Sequence, residues 1–195
     1  MPYYSDHKCI FIHIPKSAGS TIHSILKNKS CTVTSDHKTM YDLSLRRSTI
    51  KQCFKFTFVR NPWDRFVSTY FYFKKYGRDN LGDMMTGYIV NSFNSFRDFA
   101  INFPNIPNQL FRYPHFNEQV SWMQGQPPFD FIGRFENLQD DFNTVCNKLS
   151  IPVQKIPRLN PSRHGHYTKY YDNETREIVA ERYAKDIEHF GYKFK

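Results

Sequence analysis

The sequence predicts an α/β fold, a central and mostly parallel sheet between helical layers, formed by a single domain over residues 1–195. Three observations predict it. Runs of β-branched and aromatic residues at 9–14, 54–59 and 129–133 read as strands. Each run is followed by a turn and then by apolar residues at helical spacing. Strands that alternate with helices, rather than clustering, become parallel neighbours joined by crossovers.

Taken in order, residues 1–8 are a polar lead-in, and the strand at 9–14 follows. Pro15 ends that strand, because it has no N–H to give a ladder. A turn leads into a helix to about residue 29 through Ile22, Ile25 and Leu26. Residues 31–34 suggest a short strand and 41–47 a helical stretch. The run 54–59 alternates as a strand should and ends in Arg60-Asn61-Pro62. Asn is a good N-cap and Pro suits the first helical position, so a helix follows to about residue 75. Residues 76–128 read as irregular, punctuated by Gly and Pro, with a helix near 92–101 and another starting near 116–122. After the strand at 129–133 come an amphipathic helix at 136–149, a loop at 151–170 and a final helix at 173–184.

Composition narrows the partners. The chain carries a net charge of +9, which favours an anionic ligand or surface. It holds 19 Phe and 13 Tyr, ample material for a core. The sequence shows no signal-peptide h-region and no apolar run of membrane-spanning length, so no membrane span is expected. Cys9, Cys31, Cys53 and Cys146 are scattered without C-x-x-C pairs, which reads as reduced thiols in a cytoplasmic protein. No metal-ligating constellation stands out, and the oligomeric state is not legible.

Chemistry concentrates at two strand ends. Between the first strand and its helix lie Lys16, Ser17, Ala18, Gly19, Ser20 and Thr21. One cation, several hydroxyls and a glycine at a helix start suit a phosphate or sulfate, since unsatisfied N–H groups and the helix dipole add to the Lys charge. The loop is not a Walker A sequence, because Lys16 precedes its glycine. At the second strand end, where a nucleotide triphosphatase places an acid for magnesium, stands Arg60, whose planar fork binds phosphate directly. A kinase-like phosphoryl transferase is therefore disfavoured. A basic nucleic-acid-binding module is disfavoured too, for want of a recognised module signature.

The run from Pro15 to Thr21 resembles the 5′-phosphosulfate-binding loop of sulfotransferases, and the run from Val59 to Ser68 looks like their 3′-phosphate-binding segment. The likeness is closest to carbohydrate sulfotransferases of the 2-O and 6-O heparan sulfate type and their small bacterial relatives. It extends to residues 131–138 and to 160–192, while about 76–128 is the variable, acceptor-side part.

The resemblance implies a P-loop-like nucleotide-binding core. It also implies 3′-phosphoadenosine 5′-phosphosulfate (PAPS) as donor, a hydroxyl acceptor that is most simply a carbohydrate, and no metal. Lys16 would bind the phosphosulfate and stabilise the leaving phosphate. Ser17, Ala18, Gly19, Ser20 and Thr21 would wrap the 5′-phosphate, and Arg60 with Ser68 would hold the 3′-phosphate. Arg163 and Lys169, in a basic aromatic loop, would close over the nucleotide. His37 resembles the base histidine of the 6-O enzymes, and a histidine suits that task near neutral pH. His13 competes for that role from the first strand, on the face shared with Phe11 and Cys9. His115, in the variable part, is a candidate acceptor contact. Glu136 reads mainly as a structural residue.

Overall fold

The computed structural model describes residues 3–27, 47–76, 81–107, 114–124, 128–157 and 164–195. These fall into two compact units: Met1–Arg60 with Ser121–Pro161, and Asn61–Val120 with Ser162–Lys195. The stretches expected at 31–34 and 41–47 lie outside the described residues.

The first unit holds the sheet, whose four strands run in the order β1 (Tyr3–Tyr4), β2 (Cys9–Ile12), β3 (Phe54–Val59) and β4 (Phe131–Arg134). β1 is antiparallel to β2, whereas β2, β3 and β4 are parallel neighbours. The expected α/β class with a mostly parallel sheet is thus observed. Every residue of β2 is fully buried, as expected of a strand covered on both faces. One face carries Phe11, Phe56 and Phe58, with the Phe11 and Phe56 rings 5.0 Å apart. Ile22 and Leu26 of α1 (Gly19–Leu26) and Phe142 and Val145 of α6 (Leu138–Leu149) pack into the same cluster.

The ring of Phe58 explains Gly133 in β4: a methyl group there would fall 2.5 Å from that ring. The strand starts are pinned by Lys55, whose ammonium lies 2.8 Å from Asp130 Oδ2 while its N–H donates to the same oxygen at 2.7 Å. A short helix α2 (Arg47–Gln52) leads into β3.

The second unit is helical: α3 (Pro62–Tyr76), α4 (Leu81–Asn91), α5 (Phe96–Asn102), α7 (Asn173–Arg182) and α8 (Ala184–Phe190). Its core is aromatic. Phe66 sits at its centre, with the rings of Phe96, Phe99, Phe103, Phe116 and Tyr183 between 5.0 and 6.2 Å away. Arg65, 1% exposed, spends its guanidinium on backbone, donating to His115 O at 2.9 Å and to Asn117 O. The Tyr183 hydroxyl donates to Phe116 O at 2.9 Å, and burial pushes that phenol up to about 12. Asp186 accepts from the N–H groups of Gln119 and Val120 at 2.8 and 2.9 Å. Segment 114–120 is thus clamped by three side chains far away in sequence.

Three expectations are corrected. Residues 81–91, read as irregular, form α4. Where a helix was expected to start near 116–122 stands a pair of 3-10 turns, Pro114–Phe116 and Gln119–Trp122. The single helix at 173–184 is followed by another, α8. Among the described residues no helix is long and apolar enough to cross a membrane.

Candidate functional site

The register builds the site in the first unit. Ile12 pairs with Thr57, so β2 and β3 release their chains side by side at their carboxyl ends, where parallel sheets bind ligands. From β2 the chain turns, with Ser17 N–H donating to Ile14 O at 3.3 Å, and enters α1 at Gly19. From β3 it leaves through Arg60.

The loop has an unusual backbone. Lys16 (φ 68°) and Ala18 (φ 64°) are both left-handed without being glycine, at about 1–2 kcal/mol each. Such strain persists where the surroundings enforce it, commonly at binding sites. A left-handed residue beside a right-handed one turns successive N–H groups toward one side, the geometry of anion-binding concavities in general. Ala18 gives α1 no side-chain cap, and its carbonyl takes the N–H groups of Thr21 and Ile22 at 3.1 Å each. Among the described residues the amides of Gly19 and Ser20 have no backbone acceptor, and they lie in the first turn, where the helix dipole is positive.

Ser17 is 1% exposed, and its Oγ has no hydrogen-bond partner among the described residues. A buried hydroxyl left unpaired costs about 1–3 kcal/mol. An anionic oxygen seated in the loop would relieve that cost.

His13 shapes the loop from below. It is half-buried and its ring stacks on Phe11 at 6.1 Å, on the face that alternation assigns it. A methyl group at Gly19 would fall 1.7 Å from His13 Cδ2 and 2.0 Å from Nε2. Gly19 is therefore required for close approach. Gly19→Ala should cost about 1–3 kcal/mol of stability through overpacking, read as a lowered melting temperature. His13→Ala in the same chain should restore most of it. If Gly19→Ala melted at the same temperature as the parent, this packing account would be wrong.

Arg60 is 4% exposed, a buried rather than a surface cation. Its Nη1 donates to Lys16 O at 3.0 Å, and its guanidinium carbon lies 3.9 Å from the centroid of the Phe135 ring. Two cationic residues at neighbouring strand ends thus share one hydrogen-bonded scaffold. The sequence reading missed Phe135. Its signal was the register, since Val59 pairs with Arg134 and the next residues must leave together.

In the second unit, Ser68 is 4% exposed, on α3 two turns from its start. His115 is 8% exposed, with its ring stacked on Tyr72 at 5.5 Å and edge-on to Phe73. That is a packing position in an aromatic layer. Lys169 is exposed, in the 3-10 turn Tyr167–Tyr170. His37 and Arg163 lie outside the described residues. Among the described residues no group of three or more His, Cys, Asp or Glu is placed to hold a metal ion.

The sequence profile of the Sulfotransferase family matches residues 3–193. The chain belongs to that family. Membership supports transferase activity of the sulfotransfer class and accords with the α/β fold. An uncharacterized protein of Archaeoglobus fulgidus is 31% identical over 123 residues, 58% of this chain and 82% of that protein. Carbohydrate sulfotransferase 14 of Danio rerio is 26% identical over 224 residues, covering 96% of this chain but only 60% of the zebrafish protein's length. No solved structure gives a significant match.

Proposed function

We propose that this sulfotransferase moves the sulfuryl group from PAPS to a hydroxyl of a carbohydrate by in-line displacement. The observation that carries the reading is the loop at 14–21, with its unpaired buried Ser17 hydroxyl, its orphan amides and Lys16, set beside Arg60. Those donors fit a phosphate ester. PAPS supplies an activated sulfuryl group on a phosphate that leaves with growing negative charge.

Lys16 and the Gly19 and Ser20 amides are the donors that meet that charge, and preorganised donors at a developing anion lower the barrier. Ser17 Oγ, Ala18 N–H and Thr21 complete the 5′ side. Arg60 and Ser68 hold the 3′-phosphate, and Arg163 and Lys169 cover the nucleotide. His37 takes the acceptor proton. The carbohydrate acceptor is supported by the zebrafish relative's name and by the net charge of +9, which suits an acidic saccharide. Cys9, Cys53 and Cys146 are free thiols, which accords with a reducing, cytoplasmic setting.

The test is an acceptor screen with radiolabelled PAPS, followed by mapping of the sulfated position. Transfer to saccharide hydroxyls is expected, and transfer only to other acceptors would overturn the substrate class. His37→Ala is expected to abolish transfer while leaving affinity for adenosine 3′,5′-bisphosphate within about twofold, as removal of a base that touches no nucleotide requires. Retention of most activity would shift the base role to His13 or Glu136.

A further inference from the structure

We propose that segment 192–195 is a positioning strap that fixes the first turn of α3, and through it the readout of the nucleotide's 3′-phosphate. The proposal rests on the assignment of residues 60–68 to that phosphate, made above.

The strap begins at Gly191, whose φ of +65° ends α8 and reverses the chain. Tyr192 N–H closes that turn onto Ile187 O at 3.1 Å. The chain then runs back over the start of α3. Asn61 Nδ2 donates to Lys193 O at 3.0 Å and to the Tyr167 hydroxyl at 3.4 Å, and Lys195 N–H donates to that same hydroxyl at 3.0 Å. Asn61 Oδ1 meanwhile accepts the Trp63 N–H at 3.1 Å. One side chain thus caps the helix and ties it to the strap.

Phe194 locks the arrangement. Its ring meets Trp63, Tyr167 and Tyr171 edge-on at 5.6, 5.4 and 5.5 Å. Trp63 is held on two further sides, since its indole N–H donates to Arg176 O at 3.0 Å and its carbonyl accepts from Tyr171 Oη at 2.9 Å.

An ordinary helix start needs a cap and nothing more. Here Asn61 and Trp63 are fixed by groups from residues 167, 171, 176, 193 and 194. Such over-determination suits a turn that must present phosphate donors in one geometry, because donors held in place cost nothing to order on binding.

The test compares adenosine 3′,5′-bisphosphate with adenosine 5′-monophosphate, which lacks the 3′-phosphate, by titration calorimetry on the full chain. Loss of three aromatic edge contacts in Phe194→Ala should weaken bisphosphate affinity about tenfold. Monophosphate affinity should change by less than about twofold, since the 5′ loop is untouched. Phe194→Tyr should keep parental values. If Phe194→Ala does not fold, Phe194→Leu, which keeps apolar volume but loses the ring edges, is read the same way. Arg97→Ala serves as the control for general destabilisation. It breaks exposed ion pairs to Asp172 and Glu174 in the same unit, and it should alter neither affinity.

Equal weakening of both nucleotides, or no weakening, overturns the strap's role. If the parent chain itself binds both nucleotides alike, the 3′-phosphate assignment fails, and the strap's role fails with it.

Discussion

Lys16→Ala is expected to lower turnover by about a hundred- to a thousandfold, the usual cost of deleting one donor to a developing anion. Nucleotide affinity should fall far less, because the loop amides and Ser17 remain. Lys16 sits on a left-handed residue whose carbonyl is held by Arg60, so its ammonium starts from a fixed backbone. An effect concentrated in kcat with a small change in KM marks a group used mainly at the transition state. Glycine at position 16 makes a useful companion. It relieves the left-handed strain yet removes the charge, so it should be as inactive as alanine while losing less stability. Equal losses in kcat and affinity would instead make Lys16 a ground-state anchor.

Arg60→Ala is expected to have the largest effect on binding. Charge-assisted hydrogen bonds contribute about 1.5–3 kcal/mol, which corresponds to roughly ten- to a hundredfold in affinity for adenosine 3′,5′-bisphosphate. The substitution also leaves Lys16 O without this donor and uncovers Phe135, so part of the loss should reach adenosine 5′-monophosphate as well. On the proposed assignment, the excess loss for the bisphosphate measures the 3′-phosphate contact. Arg60→Lys should rescue little, because an ammonium offers neither the planar fork nor the face that lies on Phe135. Full rescue by lysine would reduce Arg60 to a point charge.

Much of this was legible from the residues. The strand at 54–59, the turn into α3 and the turn at 15–21 have strong local signals, since alternation, an Asn-Pro helix start and a Lys–hydroxyl–Gly cluster act within a few residues. What the sequence hid depends on distant partners. The helix α4 was obscured by Gly82 and Gly87, poor helix formers. It is stabilised by contacts such as the Tyr72 hydroxyl to Asp83 Oδ2 at 2.9 Å and by burial of Val90 and Thr86. The turns around residues 114–122 are set by Asp186 and Arg65, which claim backbone groups that a helix would need. β1 is two residues long, too short for any periodicity. In the candidate site, the loop stood out by its residue types, but its left-handed Lys16, the Ser17 hydroxyl without a partner among the described residues, the His13–Gly19 contact and the Phe135 platform arise only once strands are paired.

The central claim is that the loop and Arg60 together recognise a nucleotide phosphorylated at both the 5′ and 3′ positions. The most direct measurement is the melting temperature with adenosine 3′,5′-bisphosphate, with adenosine 5′-monophosphate and with ATP plus magnesium. At a hundred times its dissociation constant a ligand stabilises the folded state by about 2.7 kcal/mol. The account predicts a clear upward shift with the bisphosphate and a much smaller one with the other two. No shift with the bisphosphate, or an equal shift with ATP and magnesium, would contradict it.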